Sequence, residues 1–257
     1  MADITFFTYA MGLSSILVVG TGLITGMLLF IRYAKTRNPA VLTVMLLILS
    51  MGLTWTGTAV SFFLVLAGEE PLNEVAYALI TLTPLSLIGP LLVYSTMDML
   101  PAMKKRLSIA LGIMIILALA CLFMAYFQTE DVYEEYKIHE ESGLGEGSYK
   151  GVVRIVIAVY ILFALFFLAP LYTYVGAKTS VQDTRRKTGL LALGYGLFGF
   201  FAIFDGLVTL DAIQVIVVRA GLASALLSIY LGYTLPSWVD RRIDAIASKI
   251  RKQDQPA

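Results

Sequence analysis

Charge is what this sequence has least of. Asp, Glu, Lys and Arg make up 14% of the 257 residues, against about 25% in a soluble domain. Hydrophobic residues make up 58%, and the mean hydropathy is +0.82. The length would suit one or two soluble domains, but the apolar residues fall in runs too long for that. A net charge of +1 gives no global field for nucleic acid, and none is expected as a partner. Cysteine is nearly missing: Cys121 stands alone in an apolar run, which excludes an internal disulfide and a multi-cysteine metal site. Histidine is single, His139 in a polar loop. That excludes the histidine pairs that hold haem between membrane helices, and the zinc histidines of seven-helix hydrolases. No Gly-x-Ser-x-Gly elbow or paired acid cluster stands within an apolar run. The expectation is a protein that is not an enzyme, with no metal site and no haem. The first residues, Met-Ala-Asp-Ile, lack the basic flank of a cleavable signal, so the first apolar run reads as a retained helix.

What is present is length in the apolar runs. A membrane-spanning helix needs about 20 mostly apolar residues. Seven stretches qualify: roughly 5–31, 40–67, 74–97, 107–127, 151–176, 188–210 and 213–235. The fold class expected is all-α and integral to the membrane: a seven-transmembrane helix bundle over 1–235 with a tail at 236–257. The last two stretches are nearly continuous, and Asp211 near their middle places a tight outer turn at 210–213. Fifteen of the 19 Lys and Arg follow the first, third, fifth and seventh stretches. The other loops carry acids, Glu69, Glu70 and Glu74, then Glu130 to Glu146. Basic loops face the cytoplasm, so the N-terminus is expected outside and the C-terminus inside, in a multi-pass protein of the cell membrane. The outer loop 128–150 is acidic, with room for a short helix over 130–141 or for no order at all.

Charges within a span are costly and mark function or structure. Asp205 and Arg219 flank the 211 turn at depths of about 9 and 12 Å, at ~1.5 Å per residue. They either lock the sixth and seventh helices or anchor a ligand; the sequence leaves both open. Trp55 and Thr58 in the second helix, and Tyr77, Thr81 and Tyr94 in the third, are cavity-lining candidates. Their hydroxyls equally well satisfy backbone or neighbouring helices. Pro84 and Pro90 are expected to break and kink the third helix, and Pro170 the fifth. Gly22-xxx-Gly26 reads as close helix packing. Gly194, Gly196 and Gly199 match a dinucleotide fingerprint in spacing only, since no strand precedes them, and also read as packing. At 237–252, Val239, Ile243, Ile246 and Ile250 form a short apolar stripe behind Trp238. It suits an amphipathic helix on the inner leaflet, or a coiled-coil stub for a partner or a homodimer.

Residues 81–87, TLTPLSL, are similar to the Thr-Thr-Pro-Leu stretch of microbial rhodopsins. Covalent retinal needs a lysine in the last helix, however, and 213–235 contains none, so no retinal cofactor is expected. A wider resemblance joins three places: Trp55 midway along the second helix; LITLTPLSLIGPLLVYS with Pro84, Pro90 and Tyr94; and YLGYTLPSWVDRRI at 230–243. Together they resemble the seven-transmembrane N-terminal sensor region of membrane histidine kinases, over most of residues 5–245. The sequence departs from that pattern by ending about 20 residues after the exit, without a kinase region. The resemblance implies a stand-alone sensor or receptor-like bundle. It would bind a small or lipid-derived ligand among membrane lipids, with Asp205 and Arg219 as anchors, and signal through a partner. A structural subunit of a larger membrane complex and a small transporter are the alternatives.

Overall fold

Each apolar run becomes helix because, away from water, only intrahelical bonding satisfies the backbone. The computed structural model describes residues 5–128, 132–138, 144–207 and 210–235. In chain order the helices are α1 (Phe6–Thr36), α2 (Pro39–Leu53), α3 (Thr56–Leu66), α4 (Glu74–Met99), α5 (Lys104–Phe127), α6 (Gly151–Leu162), α7 (Ala169–Lys178), α8 (Gln182–Leu207) and α9 (Ala212–Thr234). Polar residues at the starts set the boundaries: Thr5 caps α1, Asn38 before Pro39 caps α2, Asn73 caps α4, and Asp211 with Gln214 forms a reciprocal cap on α9. The Asp211 cap is the turn expected between the last two spans, and α8 and α9 are separate antiparallel neighbours.

Among the described residues six spans are long and apolar enough to cross a membrane, α6 and α7 counting as one, and α2 with α3 makes a seventh if that bent pair is a single span. Unlike a soluble bundle, this one is apolar on its flanks as well as in its core. Leu13, Ile24, Ile109, Ile116, Phe127, Ile213 and Val217 are exposed on its flanks. Small and hydroxylated residues lie within, among them Ser14, Ser15, Thr25, Ser61 and Ser95. A soluble monomer does not expose so much contiguous apolar surface.

The structure corrects several expectations. The second span, read as one helix over 40–67, bends by 46° between α2 and α3. No proline stands there. The Thr54 hydroxyl donates back to the Ser50 carbonyl at 3.0 Å there. Thr21 and Thr25 make the same bond within the unbroken α1, so that bond by itself does not make the bend. In the third span α4 stays helical through Pro84 and Pro90. Pro90 has no N–H, so the Ser86 carbonyl lacks its helical donor; Tyr160 of α6 supplies one, its hydroxyl donating at 3.1 Å. The Tyr160 ring occupies the space that a side chain on Gly89 would need. At Pro170 the strain is taken up upstream, by a wide π turn over Phe163–Leu168 in which the Ala169 N–H reaches back five residues to the Ala164 carbonyl.

The acidic loop, for which the sequence left a short helix over 130–141 or no order open, holds two strands instead. β1 (Tyr133–Ile138) pairs antiparallel with β2 (Gly145–Tyr149), with Lys137 opposite Glu146 in register. A helix would stack Glu130 over Glu134 and Asp131 over Glu135, like charges four apart; tyrosine and isoleucine favour the strand. The hairpin is seated on the bundle: Leu144 is fully buried and clusters with Met11, Phe62 and Val215. The tail at 236–257, with its stripe at 237–252, lies outside the described residues.

Candidate functional site

The one buried ion pair among the described residues joins the last two helices. Arg219 Nε donates to Asp205 Oδ1 at 3.2 Å. Arg219 is 3% exposed, so its charge is almost entirely within protein. The antiparallel turn at Asp211 brings the two residues level, as their spacing implies. Two partners lie far away in sequence. Arg219 Nη1 donates to the Met11 carbonyl at 2.9 Å and to the Ser15 hydroxyl at 2.7 Å, both on α1. Trp55, at the bend between α2 and α3, donates its indole N–H to Asp205 Oδ2 at 2.9 Å.

Both carboxylate oxygens therefore receive charge-assisted bonds, and the guanidinium spreads its donors over a carboxylate, a carbonyl and a hydroxyl. A buried charge is tolerable only when compensated this fully. The cluster also has a lid. The Met11 side chain belongs to the apolar group with Phe62, Leu144 and Val215. Phe62 is held close because Gly12 offers no side chain in its way.

The candidate hydroxyls form a second group beside the first. Thr58 and Tyr77 hydroxyls lie 2.9 Å apart. The adjacent Gly57 packs against Tyr77 and Thr81. The first turn of α3 thus carries Trp55 towards α8 on one side and Thr58 towards α4 on the other. Thr81 Oγ1 and Thr56 Oγ1 are buried with no hydrogen-bond partner. Tyr94 does not belong: it is 44% exposed on the bundle's flank, so the reading of it as a cavity residue fails. In a helix whose buried and lipid-facing sides are both apolar, sequence does not say which side a tyrosine takes.

Sequence reasoning missed a tyrosine layer at the opposite end. The Tyr172 and Tyr195 rings stack at 5.7 Å. The Tyr172 hydroxyl donates to Thr96 at 3.3 Å, and the Tyr195 and Tyr233 hydroxyls lie 3.1 Å apart. The three come from α7, α8 and α9, and nothing local to any one of them signals the others. Glycines in these helices mark close approach as expected. Gly22 of α1 meets Gly52 of α2, and Gly194 of α8 meets Ile229 and Ala225 of α9. Among the described residues no three His, Cys, Asp or Glu gather as metal ligands would.

Fold and cluster together define a multi-pass helical membrane protein with a charged, hydrogen-bonded lock between its helices. No family model, curated protein or solved structure matches the chain.

Proposed function

We propose that this chain is a receptor-like protein of the cell membrane, with seven spans, its N-terminus outside and its C-terminus in the cytoplasm. The bent α2–α3 pair is the remaining span. The excess of Lys and Arg in alternate loops supports the orientation. The observation carrying the functional reading is that one polar network ties the bend at Trp55 to α1, α8 and α9. A small or lipid-derived ligand that moves α3 would draw on Asp205 through Trp55 and shift α9, the helix leading to the cytoplasmic tail and its partner. Asp205 and Arg219 then act as the latch that such a ligand biases, rather than as its direct anchors, because their bonds are already made within the protein.

Replacing Trp55 by phenylalanine tests this, since it removes the indole N–H and leaves the Asp205–Arg219 bond. Hydrogen exchange is expected to rise at the far end of α9, around 228–235, as well as in α3. Exchange confined to α3 and α8 would count against coupling. It would favour the alternative of a structural subunit, which the saturation of the network also supports. Orientation is checked separately. In intact cells a membrane-impermeant maleimide is expected to label a Glu70→Cys variant and to spare Ser180→Cys; the reverse pattern would invert the topology.

A further inference from the structure

At the end of the bundle opposite the hairpin, α1, α2, α4, α8 and α9 surround a half-open recess of about 240 Å³. We propose that it binds a phosphodiester amphiphile bearing a primary ammonium group, the headgroup chemistry of phosphatidylethanolamine. This site is independent of the Trp55–Asp205–Arg219 lock.

The recess collects charges of both signs beside an apolar wall. Arg32, Lys187 and Asp98 line it together with Val41, Val44 and Met99. Arg32 spends one of its five donors on a long 3.4 Å bond to the Thr234 carbonyl. Lys187 holds Asp183 one helical turn away at 2.9 Å, with two further ammonium donors. Among the described residues no partner meets the Asp98 carboxylate. Two cations with donors to spare suit a phosphate. A simple anion would also meet the Asp98 charge, whereas a ligand that carries its own ammonium turns that repulsion into attraction. A recess of this volume lies well above the ~10–15 Å³ that admits one water, and it has room for a phosphate with a two-carbon amine. The apolar wall suits the glycerol and first methylenes. The recess lies among helix ends that carry Arg32 and Lys187, the kind of site a headgroup can reach.

Native mass spectrometry of the delipidated full chain tests the assignment. The probes are phosphatidylethanolamine, phosphatidylcholine and phosphatidylglycerol of matched chains, with soluble phosphoethanolamine and inorganic phosphate as competitors. Phosphatidylethanolamine is expected to bind about tenfold tighter than either other lipid, the worth of one added charge-assisted contact. Asp98→Asn should abolish that preference, and Arg32→Gln with Lys187→Gln should weaken all three lipids. Thermal melts confirm folding, and Arg32→Gln alone serves where the double variant does not fold. Competition by soluble phosphoethanolamine, a phosphomonoester of the same amine, at equal strength would overturn the amphiphile assignment; binding that survives it supports the lipid. Equal binding of the three lipids, stronger competition by inorganic phosphate than by phosphoethanolamine, or a preference that survives Asp98→Asn overturns the proposal.

Discussion

Replacing Arg219 by methionine is expected to cost the folded bundle about 3–5 kcal/mol, the usual penalty for stranding one member of a buried ion pair. Asp205 loses its cationic partner and keeps the Trp55 indole. The Ser15 hydroxyl and the Met11 carbonyl lose the guanidinium but stay bonded to each other, and the Met11 carbonyl also keeps the Ser14 hydroxyl. The carboxylate dominates, because an unpaired charge in a low-dielectric interior is far costlier than an unpaired hydroxyl. Adding Asp205→Asn to the variant should therefore recover most of the loss. The amide oxygen still accepts from the Trp55 indole, while the stranded charge is gone. Thermal unfolding in detergent of the two single variants and the double one measures this. A methionine variant that melts with the parent would show the charge to be compensated by something other than this pair. A double variant no better than Arg219→Met alone would place the cost in lost packing of the arginine stem.

The second large effect is expected where two backbones touch. A Cβ on Gly22 would lie 2.8 Å from the Gly52 Cα, and one on Gly52 would lie 2.7 Å from the Gly22 Cα. No flexible side chain stands between them to give way, so α1 and α2 must move apart. Gly22→Val is expected to destabilise by at least the ~1–3 kcal/mol typical of overpacking. It should also propagate to the lock, because α1 carries Met11 and Ser15. Gly20 is the internal control: it lies on the same helix, and a Cβ there would have nothing within 4 Å. Gly20→Ala should therefore be neutral or stabilising by a few tenths to about 1 kcal/mol. Equal melting of the two variants would mean that the α1–α2 contact is not close.

The Asp205–Arg219 pair was the most legible part of the site. Both residues are conspicuous because charge is rare in an apolar span, and the capping residue Asp211 between them sets their relative depth. Trp55 was legible as a candidate but not as their partner. Its reach to Asp205 depends on the bend after Leu53, for which the sequence has no proline; the Thr54 hydroxyl and the Gly22–Gly52 contact mark the place only once the fold is known. The prolines were legible as interruptions of the ladder, but not what would repair them. Pro90 does leave the Ser86 carbonyl without its helical donor, but the sequence could not say that Tyr160, packed into the Gly89 niche, would supply another and that α4 would stay helical through both prolines. The hairpin was missed because an acidic, glycine-bearing loop lacks a clear apolar period, and its anchor, Leu144, is one residue among many polar ones.

The class of this protein was readable without coordinates: long apolar runs, their approximate ends, the sorting of charge between alternate loops, and the two charged residues that had to find partners. Those properties are local, set by composition, length and caps. Who meets whom emerged with the assembled bundle alone: Trp55 with Asp205, Arg219 with α1, Tyr160 with the Ser86 carbonyl, Tyr94 with the outside. The cause is that lipid and helix interface are both apolar. In water the hydrophobic effect would print each helix's rotation into its sequence as an amphipathic stripe. In a bilayer that stripe is faint, and rotation is set by close packing and a few hydrogen bonds that form once all the helices are in place.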